Sequence, residues 1–312
     1  CTSPTYSHDL YHVHYLHFAA DKSPGILCSG EYPTSSYQSH YGFTYYLDGI
    51  RRHHIGSSKN HRFEMKTAGI YIHIPFCKSK CNYCDYYSLE KREKDIPGFV
   101  EMLMREIELS AHEHGENWQF DTIYFGGGSP ALLTPNDVNN ILNKLKHHFN
   151  ISKNIELTLE INPGETKKET LFSLKELGVN RLSIGFQSLD NRLLTTLSRT
   201  HRLDDCFTMY EDARVAGFDN INIDMMYNIP EQSLDRWVDD LKTLVKMDCD
   251  HIAIFPLTSE KGTPFYNQVN SGEVKLPGSH IEESMFTHSS QLLSKNGFIQ
   301  YEVAHFTKPG KE

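Results

Sequence analysis

From Met65 onward, short apolar segments typical of β-strands alternate with longer segments that carry apolar residues at helical spacing. Six strand segments occur, the first being GIYIHI at residues 69–74 and the last HIAIFPL at residues 251–257. Because parallel strands need long crossover connections whose helices cover the sheet, this alternation predicts an α/β fold with a parallel sheet. An open barrel and a doubly wound sheet both fit the pattern, and either one places active groups at the carboxyl ends of the strands.

Proline, glycine and the apolar periodicity set the expected bounds of these segments. Strands are predicted at residues 69–74, 120–125, 155–161, 181–186, 220–227 and 251–257. Helices are predicted at residues 97–114, from 135 onward, and at 171–177, 190–197, 203–215 and 233–246. Gly178 and Gly217 follow two of these helices and are expected to end them.

The first 64 residues differ from the rest of the chain, since they hold eight of the 18 histidines and eight of the 17 tyrosines without a sustained apolar pattern. A histidine-rich metal-binding arm would fit this composition, but we expect a disordered or non-native extension over residues 1–64. The folded part is then predicted to begin at Met65, with a core domain over 65–265 and the start of a C-terminal region over 266–312.

Charge and hydropathy argue against several classes of partner. A formal net charge of −9 leaves no basic excess to neutralise a phosphate backbone, so we expect no nucleic acid partner. No apolar run reaches the length of about 18 residues that a membrane span requires, which predicts no integral membrane segment. The opening residues lack the basic start and continuous apolar region of a secretory signal, and we therefore expect a cytoplasmic protein.

Three of the seven cysteines, Cys77, Cys81 and Cys84, are clustered directly after the first predicted strand. The other four are scattered, and an odd total makes a disulfide framework unexpected; Cys206 and Cys249 are interpreted as small buried side chains. Structural zinc normally needs four ligands, and no second cysteine pair follows downstream. Three thiolates suit a [4Fe-4S] cluster with one iron open to an exchangeable ligand. Spacing alone favours the cluster and leaves zinc as the alternative.

The residues around these cysteines carry a family resemblance. The pattern CKSKCNYC at 77–84, with Tyr83 as its aromatic residue, resembles the signature of radical S-adenosylmethionine (SAM) proteins, and YIHIPFC is similar to the oxygen-independent coproporphyrinogen III oxidase family. Within that family, the sequence resembles the HemW heme chaperones at Tyr86. This aromatic residue stands at a position where the oxidases usually have a fourth cysteine. The likeness covers roughly residues 69–312 and continues through YFGGGSP, ELTLEINPGE, RLSIGFQS, LSRTH, NIDMMYNIP and LTSEKGTPFY.

The resemblance implies a partial (β/α)6 radical-SAM barrel with parallel strands and a truncated C-terminal domain. It also implies a [4Fe-4S] cluster on Cys77, Cys81 and Cys84. Ser129 stands where the family more usually has threonine and keeps the hydroxyl, whereas His73 is left outside the cluster ligands. The SAM-binding positions of the family fall on Tyr71, Tyr83, Gly127, Gly128, Ser129, Glu160, Gln187, Arg199 and Asp224.

The side chains at these positions suit the chemical groups of SAM. Glu160 and Asp224 lie toward the ends of apolar strands, where buried carboxylates need partners such as an amine or hydroxyls. Arg199 is interpreted as the partner of the SAM carboxylate, and the glycine-rich turn lets backbone N–H groups approach the ligand closely. Without the resemblance, the same features read more plainly as solvated strand ends, a solvated helix face and an ordinary turn.

Two functions remain open under this resemblance. A heme chaperone, which we favour, would bind heme and pass it to an acceptor protein, with the cluster supporting dimerisation or transfer. A coproporphyrinogen III dehydrogenase would instead use an electron donor and SAM to decarboxylate the propionates of a porphyrin precursor by radical chemistry. The HemW family carries a His-Asn-x-x-Tyr heme motif shortly after a KPGHE-like segment. This sequence ends at KPGKE, residues 308–312, so heme is expected to bind through the full-length protein.

Overall fold

The computed structural model describes residues 16–20, 66–114 and 118–312. Its strands are β1 (Leu16–Ala20), β2 (Lys66–Ile74), β3 (Phe76–Cys77), β4 (Leu89–Glu90), β5 (Trp118–Gly127), β6 (Asn150–Ile161), β7 (Arg181–Gln187), β8 (Ile221–Tyr227), β9 (His251–Pro256), β10 (Ile299–Gln300) and β11 (His305–Thr307). Its helices are α1 (Ile96–His114), α2 (Pro135–His148), α3 (Lys168–Glu176), α4 (Asn191–Thr196), α5 (Leu203–Val215), α6 (Leu234–Lys246), α7 (Pro264–Asn270) and α8 (Ser279–Lys295).

The main sheet contains nine strands in the order β1-β2-β5-β6-β7-β8-β9-β11-β10. Its six central strands, β2 and β5 to β9, pair in parallel and stand side by side in chain order. This confirms the predicted α/β fold with parallel strands, and all six predicted strands and the helices α1 to α6 are present. A doubly wound sheet would reverse its order partway across, so the observed order selects the singly wound alternative. Right-handed crossovers between successive neighbours then place the helices on one face of the sheet.

The two faces of the sheet differ in polarity because side chains alternate along each strand. On β2, Ile70, Ile72 and Ile74 are buried in the apolar core, whereas the intervening Tyr71 and His73 are only partly buried. The same alternation on β6, β7 and β8 leaves a polar inner face opposite the helices. That inner face carries Tyr124, Glu160, Arg181, Ser183, Asn222, Asp224 and His251.

The helix starts follow from local sequence. At α2, the Thr134 side chain accepts a hydrogen bond from the Asp137 N–H, the Asp137 carboxylate accepts one from the Thr134 N–H, and Pro135 occupies the first helical position. At α6, the Ser233 hydroxyl accepts a hydrogen bond from the Arg236 N–H. Such caps satisfy N–H groups that have no partner within the helix, and each is worth about 1 kcal/mol. The predicted helix starts at these two places are therefore confirmed for a local physical reason.

Strand β1 lies within the segment 1–64 that was expected to be disordered or non-native. It pairs antiparallel with β2 in the register Leu16↔Ile72, and the Leu16 side chain is buried. These five residues are therefore ordered as an edge strand, which leaves open whether the segment is native. The physical reason is that the edge of β2 offers unpaired N–H and C=O groups to any extended segment, which apolar periodicity does not reveal. The rest of 1–64 lies outside the described residues, so that prediction stays a prediction.

The residues after 265 extend the same architecture. Strand β11 pairs antiparallel with β9, and β10 pairs with β11. Helix α8 packs against α6, where the Trp237 indole N–H donates to the Ser289 hydroxyl over 2.8 Å. The predicted boundary at 265/266 stays a prediction, and neither α7 nor α8 had been foreseen. Among the described helices, none has the length and apolar character needed to cross a membrane.

Candidate functional site

The cysteine loop follows β2 at the carboxyl end of the sheet and is fixed by main-chain hydrogen bonds. The Cys77 carbonyl accepts from the Lys91 N–H over 3.0 Å, and the Cys84 N–H donates to the Cys81 carbonyl over 3.2 Å. The short parallel pair β3–β4 holds the start and the end of the loop together. Asn82 ties the middle of the loop to two helices, because its carbonyl accepts from the Phe265 N–H of α7 and its side-chain amide donates to the Thr196 carbonyl of α4. The three thiols are therefore presented from one braced loop.

Cys77, Cys81 and Cys84 are free, partly exposed thiols that lie within electrostatic reach of one another. The pKa of Cys77 is raised to about 11, chiefly by burial and to a smaller extent by the neighbouring Cys84 and Cys81. Within the described ranges, no three His, Cys, Asp or Glu side chains lie close enough to hold a single metal ion. Structural zinc is normally held by four ligands, whereas three cysteines suit a [4Fe-4S] cluster that keeps one iron open.

A glycine turn at the end of β5 lies directly against this loop. Gly128 donates its N–H to the Ile74 carbonyl over 2.8 Å. A Cβ on Gly128 would lie 2.6 Å from the Phe76 carbonyl oxygen and 3.0 Å from Cys77 Sγ. Gly127 has φ = 111°, a conformation that residues with a side chain rarely adopt. The turn therefore requires glycine for both close approach and backbone conformation.

We expect Gly128→Ala to reduce iron loading severalfold and to lower the unfolding temperature, because the added methyl group meets backbone and a cluster cysteine that cannot both move away. Gly98→Ala is the matched control, since a Cβ at Gly98 meets nothing within 4 Å and alanine favours the helix. Iron and sulfide analysis after anaerobic reconstitution, with thermal unfolding of both variants, measures the effect. Equal iron loading in the two variants would contradict the close-approach argument.

Glu160 lies on the inner face of β6, beside the glycine turn. Its carboxylate accepts hydrogen bonds from the Tyr124 hydroxyl over 2.8 Å and from the Gly127 N–H over 3.1 Å. Burial raises the pKa of Glu160 to about 7, and the negative charge of Asp224 adds to the increase. The site thus holds this carboxyl close to the point where it exchanges a proton at neutral pH.

Asp224 lies on the inner face of β8. It accepts hydrogen bonds from the Ser183 hydroxyl over 3.0 Å and from the Asn222 amide over 2.6 Å, and burial raises its pKa. Neither Asp224 nor Glu160 forms an ion pair with a basic side chain in the part of the chain that the structure describes. Two carboxyls facing one cleft under these conditions favour a ligand that brings positive charge or hydroxyl groups.

Arg199 reaches from the segment after α4 to the cysteine loop. Its guanidinium donates to Cys81 Sγ over 3.5 Å and to the Gly185 carbonyl over 3.0 Å, and it also contacts the Asn162 side chain. A Cβ on Gly185 would lie within 3.1 Å of side-chain atoms of Asn162, Gln187 and Arg199, so these three groups converge above it. A carboxylate bound beside the cluster would meet this guanidinium.

Ser129 is almost fully buried beneath the turn. Its hydroxyl donates to the Glu165 carboxylate, and the Asn162 amide donates to both Ser129 Oγ and Glu165 Oε2, at 3.3 and 3.0 Å. Ser129 therefore acts within a hydrogen-bond network rather than alone. Sequence reasoning did not single out Asn162, Glu165 or Tyr124, although the first two lie in the quoted segment ELTLEINPGE.

Tyr71 and His73 occupy the inner face of β2. The Tyr71 ring stacks on Tyr124 with centroids 5.9 Å apart, and its hydroxyl shares a hydrogen bond with His73 Nδ1 at 3.2 Å. His73 Nε2 lies 2.8 Å from the Tyr87 carbonyl oxygen. His73 is thus held as a hydrogen-bonded histidine of the wall, and its place outside the cluster ligands stays a prediction.

Tyr83 and Gln187 complete the set of predicted positions. Gln187 ends β7 with φ = 68°, an uncommon conformation outside glycine that marks a constrained strand end. Tyr83 packs from the cysteine loop against a second apolar cluster. That cluster comprises Leu193, Leu197, Met226, Ile229, Leu257 and Phe265. The predicted SAM positions and the three cysteines therefore lie at one end of the sheet, around one cleft.

The sequence of this chain is similar to those of known proteins. Residues 71–244 match the model of the Radical SAM superfamily. Heme chaperone HemW of Buchnera aphidicola subsp. Acyrthosiphon pisum is 34% identical over 248 residues, which cover 79% of this chain and 64% of that protein. Heme chaperone HemW of Bacillus subtilis is 33% identical over 249 residues, which cover 80% of this chain and 65% of that protein. The chain thus spans slightly less than two thirds of the length of these relatives.

A solved structure shows the same fold. Coproporphyrinogen III oxidase (HemN) from Escherichia coli, described as a radical SAM enzyme, superposes with a TM-score of 0.70 over 78% of this chain and 56% of that chain. The two sequences are 24% identical, so this likeness concerns the fold alone. The fold of this chain is therefore one that a solved structure also has.

Proposed function

We propose a heme-chaperone function for this chain, which belongs to the radical SAM superfamily. The observation that carries the proposal is the likeness to proteins named heme chaperone HemW, at 33 and 34% identity. The cysteine loop agrees with it, since Tyr86 stands where the decarboxylating oxidases usually have a fourth cysteine. The Tyr86 side chain is 59% exposed, which suits contact with a ligand or a partner more than a role in the core.

We assign the cluster to the cysteine loop. Cys77, Cys81 and Cys84 would hold a [4Fe-4S] cluster, and Arg199 beside Cys81 would place a positive charge next to its open iron. When bound, the cluster and SAM together supply one-electron chemistry to the cleft. Gly128 lets the main chain of the turn lie directly against Cys77. In the proposed function the loaded loop supports heme transfer or dimerisation, with an electron donor and a heme-acceptor protein as partners.

We assign the cleft beside the loop to SAM. Arg199 would bind the SAM carboxylate, and the N–H groups of the glycine turn would line the methionyl part. Glu160 and Asp224 would accept hydrogen bonds from the amine and the hydroxyls of the ligand, in addition to those they already accept from Tyr124 and Ser183. Tyr71 and Tyr83 would form the aromatic walls of the cleft. Binding at these positions requires no turnover, so it is compatible with a carrier.

The second candidate function is oxygen-independent coproporphyrinogen III oxidation. The observation in its favour is that the sequence keeps the SAM-binding positions that the resemblance implies, with Ser129 in place of the more usual threonine, and a pure carrier has no catalytic need of them. Decarboxylation requires the substrate carbon within near-attack distance of the reacting group, and a misplacement of about 1 Å can cost on the order of a hundredfold in rate. The two functions therefore differ in how precisely the cleft must position its ligand, and the rate of decarboxylation measures this difference.

We expect the full-length protein to bind heme and to deliver it to an apo-hemoprotein, and to convert no coproporphyrinogen III under anaerobic conditions with SAM and a reductant. Heme transfer is followed by the absorption spectrum of the acceptor, and porphyrin products by chromatography. The Cys81→Ala variant serves as the control for effects that depend on the cysteine loop. Formation of protoporphyrinogen over many turnovers would overturn the chaperone assignment in favour of the oxidase.

A further inference from the structure

The inner face of the sheet carries a buried cation below the proposed SAM cleft. Arg181 begins β7, points to the same face as Ser183 two residues later, and is only 8% exposed. Ser183 in turn donates a hydrogen bond to Asp224. Arg181 therefore lies one layer beneath the carboxyl groups of the cleft, toward the amino ends of the strands, and belongs to none of the positions assigned to SAM.

Arg181 differs from two other arginines, Arg214 and Arg236, in having no ion-pair partner among the described residues. Arg214, which is more exposed, pairs with Asp250 at 2.8 Å, and Arg236 pairs with Asp240. Within residues 66–114 and 118–312, Arg181 forms no ion pair, and its recorded side-chain hydrogen bond is a long one of 3.5 Å to Thr158 Oγ1. Burying a guanidinium without a carboxylate is costly, so an unpaired one is a site that a ligand can complete.

The remaining donors of Arg181 are accessible rather than sealed in the core. No nitrogen of Arg181 is among the buried polar atoms that lack a partner in the described residues, whereas Arg236 Nε is. The free N–H groups of Arg181 therefore reach the solvent of the inner face. A planar fork of N–H donors in this position matches a carboxylate, which it binds with two parallel hydrogen bonds.

The surroundings of Arg181 combine polar and aromatic groups. Thr307 Oγ1 shares a hydrogen bond with His251 Nε2 at 3.2 Å, and the Tyr301 ring lies edge-on to His251 at 5.9 Å. Farther along the same face of β9, Phe255 is 38% exposed and edge-on to His305 at 5.7 Å. Such a surface offers aromatic contact to a flat apolar ring and a cation to the acidic groups at its rim.

We propose that Arg181 binds a carboxylate side chain of a tetrapyrrole held on this inner face. The proposal rests on the proposed function and deepens it, because heme and the porphyrin precursors share propionate side chains at the edge of a planar macrocycle. Arg181 takes one propionate, while Phe255 contacts the ring.

The test compares the binding of coproporphyrin III, which has four propionates, with that of its tetramethyl ester, by fluorescence titration of the SAM-loaded chain. We expect Arg181→Gln to weaken coproporphyrin III binding by about ten- to a hundredfold, the usual size for a lost charge-assisted hydrogen bond, and to leave ester binding unchanged. Arg181→Lys should recover part of the loss. Arg192→Gln is the matched control, because the Arg192 side chain is 87% exposed and pairs with Asp190 away from this face.

A second measurement separates this inference from the proposed function. Propionate alone is titrated into the chain while the Nε–H resonance of Arg181, assigned by comparison with the Arg181→Lys variant, is followed by NMR. A saturable shift supports the carboxylate site even if the protein binds no porphyrin and transfers no heme. Equal coproporphyrin III affinity in the wild type and Arg181→Gln would overturn the proposal. If the wild type binds no porphyrin, an Nε–H resonance that does not respond to propionate would overturn it as well.

Discussion

Alanine at Cys77, Cys81 or Cys84 is expected to abolish iron and sulfide incorporation, whereas alanine at Cys206 or Cys249 should leave it unchanged. The first three thiols share one braced loop and are partly exposed, while the other two are fully buried in the apolar core. A cluster that already has one open iron cannot lose a second ligand without losing its attachment. The loss should therefore be nearly complete for each variant of the loop.

The measurement is iron and sulfide content after anaerobic reconstitution, together with the visible absorption of the cluster. Cys206→Ala and Cys249→Ala control for removal of a thiol as such, and each should lower the unfolding temperature modestly through the small cavity that it leaves. Stable uptake of zinc without iron by the unaltered chain would contradict the cluster assignment. Loss of iron in Cys206→Ala at full folding would show that a fourth cysteine takes part.

The strand and helix pattern was predictable because it follows from the local spacing of apolar residues along the sequence. The helix predicted at residues 203–215 is found as α5 (Leu203–Val215), and the helix predicted at residues 233–246 is found as α6 (Leu234–Lys246). Chain-order pairing of the six central strands then decided between the two architectures that the sequence left open. That decision depends on contacts between strands far apart in sequence, which no local pattern encodes.

The edges of the sheet were not predictable for the same reason. Strands β10 and β11 have two and three residues and acquire their conformation by pairing antiparallel beyond β9. Strand β1 likewise takes its conformation from the open edge of β2. Segments this short carry too few alternations to be recognised, so neighbouring strands rather than local preference determine them.

The candidate site was predictable only in part. The cysteine spacing pointed to a metal centre directly, whereas Tyr71, Glu160, Gln187 and Asp224 came from the family resemblance alone. Residues that orient them were missed, because Asn162 lies between Arg199 and Ser129 only after three distant segments are brought together. A polar side chain at a strand end reads as solvated until its partners are known.

Glu160→Gln is expected to stabilise the SAM-free protein at alkaline pH and to weaken SAM binding. Folding raises the pKa of Glu160 to about 7 from its ordinary value of 4.5, chiefly through burial. Between these two values the folded state binds more protons than the unfolded state, so the stability of the wild type falls as pH rises from 4.5 to 7. Glutamine removes that loss, and it can still accept from Gly127 N–H and donate to the Tyr124 hydroxyl.

The stability gain of Glu160→Gln over the wild type should therefore be small at pH 5 and reach on the order of 1–3 kcal/mol at pH 8. SAM affinity should fall by about ten- to a hundredfold at pH 8, because a charged acceptor of ligand hydrogen bonds is lost. In the wild type, ionisation of Glu160 should increase SAM affinity as the pH rises through 7. This increase should be absent in Glu160→Gln. Thermal unfolding and calorimetric titration across pH measure both effects, with the exposed Glu176→Gln on α3 as control. We expect these results because burial of the Glu160 carboxylate lowers stability while the same carboxylate binds SAM. Destabilisation of Glu160→Gln at pH 8, or SAM affinity equal to that of the wild type, would contradict this explanation.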